Sequence, residues 1–141
     1  MAVIRAELNQ SILRGGQRMP RRVVDRALSA CADALKPRRE TLLSVAFVSE
    51  KEMRRLNKQW RGKDKPTDVL SFESGEILIC YPVARRQAAD LRHSIRDEVV
   101  FLLVHGVLHA FGFDHIDPSD AKRMFPLQTK ILMRLGVDPR L

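Results

Sequence analysis

His105-Gly106-Val107-Leu108-His109-Ala110-Phe111-Gly112-Phe113-Asp114-His115 is the stretch on which the reading of this chain turns. It follows the apolar run Val99–Val104, and Ser94 with Asp97 upstream forms an N-cap. The pattern predicts one helix from that cap to about Phe111, nearly apolar all round and therefore central to the fold. Four residues turn about 400° on a helix, so His105 and His109 leave the same face one turn apart. Gly112 is suited to the residue after the helix, where a positive φ lets the chain fold back and bring His115 to the same point. Three neutral imidazoles with nitrogens at roughly 2.0–2.1 Å from an ion suit Zn²⁺ and leave a fourth position open, as catalytic zinc sites do. Three unrelated histidines are the bland alternative, but buried imidazoles need partners. One zinc per chain, on His105, His109 and His115, is the expectation. The fourth histidine, His93, falls in a polar turn and reads as a surface residue.

Working outward, the remaining segments predict an α+β fold. Ala2–Leu8 alternates and reads as a strand. Val23, Val24, Ala27, Leu28, Cys31 and Leu35 recur at helical spacing between Pro20 and Pro37. Leu42–Val48 reads as a strand. Ser49 with Glu52 forms a capping box that opens a helix over Glu50–Trp60. Asp68–Phe72 and Glu76–Tyr81 flank Ser74–Gly75 and predict a hairpin. Pro82 opens a short helix to Leu91, and Asp117–Pro118 starts a last one to about Leu135. No internal repeat or linker breaks the chain. The expectation is a single domain over residues 1–141: a small mixed sheet packed with helices, the zinc-binding helix in the centre.

The 141 residues are 45% apolar and 30% charged, which excludes collagen-like, disulfide-scaffold and wholly disordered chains. No apolar run is long enough to span a bilayer, so no membrane partner is expected. Met1–Ser11 carries Arg5 and Glu7 where a secretory signal would be apolar, which points to the cytoplasm. Cys31 and Cys80 are widely spaced and read as buried, reduced thiols. The net charge is +8, and residues 1–70 hold 16 Lys/Arg against 8 Asp/Glu whereas the rest is balanced. A polyanionic partner, or solubility alone, accounts for that asymmetry.

The spacing of the glycine and the three histidines matches the metzincin protease pattern H-E-x-x-H-x-x-G-x-x-H. The protease's general base is missing, because position 106 is glycine. The histidine stretch instead resembles the signature of the YbeY family, bacterial endoribonucleases and rRNA maturation factors. Leu56-Asn57-Lys58-Gln59-Trp60-Arg61-Gly62-Lys63-Asp64-Lys65-Pro66-Thr67-Asp68-Val69-Leu70-Ser71-Phe72 is similar to a second run of that family. The resemblance covers about residues 43–116. This chain departs from it at Glu76, where aspartate is usual, and at Glu73, where proline is common.

The resemblance implies a zinc-dependent, single-strand-specific endoribonuclease acting in rRNA processing, notably at the 3′ end of small-subunit rRNA, and in ribosome quality control. It implies RNA, the ribosome or ribosomal proteins as partners. It makes His105, His109 and His115 the metal ligands and Arg61 the functional arginine. The residues agree with it: Arg61 offers a planar fork for a phosphate that never loses its charge. Lys63 and Lys65, with Arg54, Arg55 and Lys58 on the preceding helix, add sequence-independent phosphate attraction. Asp114 is read as accepting an N–H from a ligand imidazole or capping the loop backbone, with a general-base role as the third possibility. Thr67, Asp68 and Ser71 are read as holding the loop–strand junction. Trp60, at helical spacing with Met53 and Leu56, is expected in the core rather than stacked on a base. Two rivals remain at this point: a ribosome-associated RNA-binding factor with a structural metal, and a metallohydrolase of peptides or amides.

Overall fold

Buried and exposed residues alternate along Ile4–Asn9, and this segment is the first strand, β1, of a computed structural model that describes residues 3–114 and 116–140. Ala2, placed in that strand by the sequence, lies outside the described residues. A single 3₁₀ turn at Gly15–Gln17 follows, then α1 over Arg21–Leu35. Lys36, at φ 50°, closes α1 in the left-handed conformation just before Pro37. β2 spans Thr41–Val48, and α2 spans Glu50–Arg61. Ser49 Oγ accepts from Glu52 N at 3.1 Å. The reciprocal half of the capping box is absent, because the Glu52 carboxylate pairs forward with Arg55. β3 (Val69–Ser71) and β4 (Glu76–Cys80) form the hairpin, turning through Gly75 at φ 105°. α3 (Tyr81–Leu91), α4 (Ile95–Ala110) and α5 (Pro118–Arg134) complete the fold.

The sheet order, which periodicity left open, is β1-β2-β4-β3. β1 and β4 run parallel to β2, and β3 is antiparallel at the edge. One face buries Ile4, Ala6, Leu43, Val45, Phe47, Ile77 and Ile79 against helices α1 and α4, and α5 packs on those two helices. The other face carries exposed Arg5, Glu7, Leu42 and Ser44 and is partly covered by α2, with Val83 of α3 beside it. There Met53, Leu70 and Cys80 form a second, smaller core with Leu56, Phe72 and Leu78. Both cysteines are free and buried, as the sequence suggested, and burial pushes the Cys31 thiol up to about 12. No described helix is long and apolar enough to cross a membrane.

Helix α4 packs on β3 and β4 and is enclosed by α1, α3 and α5. Its contact with the sheet is unusually close at Gly106, where a Cβ would lie 2.8 Å from Ile77 Cγ2 and 3.5 Å from Val69 Cγ2. Ile77 is fully buried and branched at Cβ, so that methyl has nowhere to turn. The same contact explains the departure from the protease pattern, since position 106 has no room for a glutamate. Helical geometry then puts Glu98, Phe101, His105 and His109 on one flank, a stripe along an otherwise apolar helix.

His93 is not a surface residue. Its Nε2–H donates to Glu98 Oε1 at 2.8 Å, and the Glu98 carboxylate is fully buried. Gln87 Nε2 donates to Glu98 Oε2 at 2.8 Å, and Arg140 Nη1 reaches both carboxylate oxygens at 3.1 and 3.3 Å. The Arg140 guanidinium also lies 3.4 Å from the centroid of Phe101. A charge in an apolar helix is tolerated here because three donors from three segments surround it.

Gly106→Ala should therefore lower stability although alanine is the better helix former. Overpacking costs about 1–3 kcal/mol against about 1 kcal/mol gained in propensity. The expected result is a net loss near 1 kcal/mol, a fall in Tm of about 3 °C, readable by calorimetry. A variant with a raised Tm would show that the contact at Ile77 is slack.

Candidate functional site

On the flank of α4 that faces the edge strand β3, His105 Nε2 and His109 Nε2 lie 3.1 Å apart. Both rings are half-buried. His105 Nδ1 lies 2.7 Å from Oε1 of Gln128, a fully buried residue of α5. A carbonyl oxygen only accepts, so Nδ1 carries the hydrogen and Nε2 keeps its lone pair toward His109. Phe101 stacks beside His105, with ring centroids 6.3 Å apart and planes at 9°. The sequence singled out both histidines, but nothing in it pointed to Gln128, a lone amide on the buried side of an amphipathic helix. Among the described residues no third histidine, cysteine or carboxylate joins the pair as a ready cluster. His115, the third expected ligand, lies outside the described residues.

Arg61 reaches the same recess from the opposite face of the sheet. It is the last residue of α2, and Gly62, at φ 72°, turns the chain away behind it. Arg61 Nη2 donates to Ser71 O of β3 at 3.1 Å, and its guanidinium sits 5.4 Å from the Phe72 centroid. The recess around the β3 edge is lined by Arg61, Thr67, Asp68, Ser71, His105 and His109. It continues into a polar hollow that Arg61 and His109 share with Glu73, Gly112 and Asp114. Arg61 and His109 line both hollows, His105 lines the recess and Asp114 the polar hollow.

Asp68 holds the loop–strand junction. Its Oδ1 accepts from Val69 N at 2.7 Å and from Thr67 Oγ1 at 3.3 Å. Its Oδ2 accepts from Gln87 Nε2 at 3.1 Å, the same amide that serves Glu98. One glutamine therefore ties the recess wall to the buried carboxylate of α4, a link that residue spacing does not reveal.

The charged loop between α2 and β3 is anchored by Asn57. This residue is buried, and its Nδ2 donates to Lys65 O at 2.7 Å. Its own carbonyl accepts from Lys63 N at 3.3 Å. Asn57 stood in the quoted run without a role, and its place on the buried side of α2 was the available signal. Lys63 and Lys65 are exposed on this loop. Arg54, Lys58 and Arg61 share one face of α2, at i, i+4 and i+7. Arg54 Nε pairs with Asp64 at 2.8 Å and Lys58 lies 4.0 Å from it, while Arg55 pairs with Glu52. Hydrogen bonding to Arg54 and Arg55 holds the Asp64 and Glu52 carboxyls below the usual range. The positive charge of Arg54 and Arg55 is thus partly shared rather than fully presented.

Trp60 corrects an expectation. It is 56% exposed, not part of the core. Helical spacing does put it on the stripe of Met53 and Leu56, but of the three only Met53 is fully buried, and the indole borders an open hollow. The indole meets Phe72 edge-on, with centroids 5.8 Å apart and planes at 73°.

A family model described as Endoribonuclease YbeY matches residues 8–136. The Endoribonuclease YbeY of Bordetella avium (strain 197N) is 44% identical over 122 residues, covering 79% of this chain and 76% of that protein. The protein of the same name from Rhizobium meliloti (strain 1021) is 39% identical over 136 residues, covering 82% and 81%. The solution structure of TM1509 from Thermotoga maritima aligns with a TM-score of 0.63 at 29% identity, covering 94% of this chain and 88% of that one.

The loop anchor gives a direct test. Asn57→Ala removes the donor to Lys65 O and should cost about 0.5–1.5 kcal/mol, the net worth of one hydrogen bond whose acceptor water can reach. Hydrogen exchange at residues 62–65 should accelerate while that of α4 is unchanged. Equal protection in both proteins would show that the loop is held by something else.

Proposed function

The chain belongs to the Endoribonuclease YbeY family, an enzyme family that cleaves RNA phosphodiester bonds, and from that premise we propose that it is a zinc-dependent, single-strand-specific endoribonuclease of rRNA processing. The observation that carries the reading is the meeting of a histidine nitrogen pair and an arginine around one recess at the β3 edge. The resemblance in the two sequence runs supports the finer assignment: maturation of the 3′ end of small-subunit rRNA, ribosome quality control, and association with the ribosome in the cytoplasm.

The donor set fits zinc. Two nitrogens bound tetrahedrally at 2.0–2.1 Å would stand about 3.3–3.4 Å apart, and His105 and His109 already approach to 3.1 Å. These two residues, with His115, would hold the ion, and Gln128 fixes the ring of His105 so that its Nε2 faces His109. Bound there, zinc supplies Lewis-acid charge for a phosphoryl oxygen. The chain's own part is to seat the phosphate. Arg61 offers two parallel N–H donors in a fixed plane, and Ser71 O and the Phe72 ring set the direction of that plane. Lys63 and Lys65 raise the local concentration of the polyanion. Arg54, Arg55 and Lys58 extend the same attraction along α2, Arg54 and Arg55 by exchanging their carboxylate partners for phosphates. Asp114 lines the polar hollow together with Arg61 and His109. A peptidase route lacks its base, since Gly106 leaves no room for one.

Two measurements test this reading. Purified protein should carry about one zinc per chain, and His109→Ala should lose most of it, because two imidazoles hold the ion poorly. Equal zinc in both proteins by elemental analysis would refute the ligand assignment.

Arg61→Ala should leave zinc content and Tm intact but slow single-turnover cleavage of single-stranded RNA roughly a hundredfold or more. Arg61→Lys should rescue little, since a point charge lacks the fork. Weaker binding with an unchanged single-turnover rate would make Arg61 a docking residue. Binding without any cleavage by zinc-loaded wild type would favour an RNA-binding factor with a structural metal.

A further inference from the structure

Next to the recess at the β3 edge lies a second hollow of different character. It is lined by Leu56, Trp60, Phe72, Ser74, Glu76 and Leu78, and its volume is about 340 Å³. Its walls are mainly apolar, whereas the hollow that holds Arg61 and His109 is mainly polar. Phe72 belongs to both, and the guanidinium of Arg61 rests over its ring. The two hollows are therefore adjacent compartments with one aromatic residue between them.

Resting on the reading above, we infer that this apolar hollow is a nucleobase subsite, in which one unpaired base of the RNA substrate stacks on Trp60 while its neighbouring phosphate lies at Arg61. Trp60 follows the exposed end of an apolar stripe, so burial does not account for its exposed indole. It meets Phe72 at a steep angle rather than in a parallel stack, with the planes at 73°, and it is 56% exposed. A flat apolar platform one residue from a phosphate-binding arginine matches the alternation of base and phosphate along a single strand. A base inside a duplex is already stacked and cannot enter, so the hollow also supplies a physical reason for selecting single strands. Stacking uses the π-face that every base has, which makes the subsite tolerant of sequence.

The chain has one tryptophan, so its fluorescence reports on this hollow alone. The zinc-loaded full chain is titrated with a short oligoadenylate and, separately, with an abasic ribose-phosphate oligomer of equal length and charge. Binding is followed in parallel by the anisotropy of a dye on the oligomer. Oligoadenylate should bind and quench Trp60, and the abasic oligomer should bind at least several-fold more weakly without quenching. Trp60→Ala should weaken oligoadenylate binding roughly tenfold and bring it to the level of the abasic oligomer. Trp60→Phe should retain most of the affinity. Because the side chain is exposed, Tm and zinc content should be unchanged in both variants. Tight oligoadenylate binding by anisotropy, with no quenching and no loss in Trp60→Ala, would overturn the subsite and leave the nuclease reading intact. Failure of both oligomers to bind wild type would overturn the two together. Self-association of wild type that Trp60→Ala abolishes, with RNA binding unchanged, would assign the hollow to a second copy of the chain and refute the proposal.

Discussion

The arrangement depends on one steric constraint: helix α4 lies against β4 so closely that residue 106 has no space for a side-chain carbon. That contact fixes the rotation of α4 about its axis. Once Gly106 faces Ile77, His105 and His109 point to the flank beside β3, and Glu98 and Phe101 fall in line with them. The polar members of the stripe then need partners, and each finds one from another element. Gln128 of α5 meets His105, while Gln87, His93 and Arg140 meet Glu98. The helix is held in translation by these bonds and in rotation by the glycine.

The site is assembled around the end of the sheet rather than in a cleft between domains. β3 is only three residues long and lies at the edge, so elements on both faces reach past it. α4 brings the histidines from the side of the large core, and α2 brings Arg61 from the side of the small one. β3 itself is not left bare: Arg61 takes the carbonyl of Ser71, and Asp68 takes the N–H of Val69. Those bonds blunt an edge that would otherwise invite another strand, and they aim the arginine at the recess.

Local signals were legible because they are local. Caps at Ser49, Ser94 and Asp117, the Ser74–Gly75 turn and the apolar run of α4 each specify their own backbone, and α2, α4, α5 and the β3–β4 hairpin follow from them. The i, i+4 spacing of His105 and His109 is likewise a property of one helix. Strand order is not, because β2 pairs with β1 before it and β4 after it across long connections. His93 and Trp60 were misplaced for opposite reasons. His93 stands in a polar turn but meets a carboxylate buried by another segment. Trp60 stands on an apolar stripe, but its indole borders an open hollow instead of the closed core. Gln87, Gln128 and Asn57 matter through partners far along the chain, and an isolated amide announces none of them.

The anchoring of residues 62–65 by Asn57 bears on association kinetics. A basic loop that must fold around its ligand spends part of the binding energy on ordering its own backbone, about 1–2 kcal/mol for each residue fixed. Here the carbonyls of Asn57 and Lys58 and the amide of Asn57 have already set that backbone. On the proposed function, a phosphate chain arriving at Lys63 and Lys65 gives up its own freedom and that of two side chains, and little else. Encounter on that reading is governed by long-range attraction to a surface of fixed shape, and capture would be fast and salt-sensitive, with no slow conformational step in front of it.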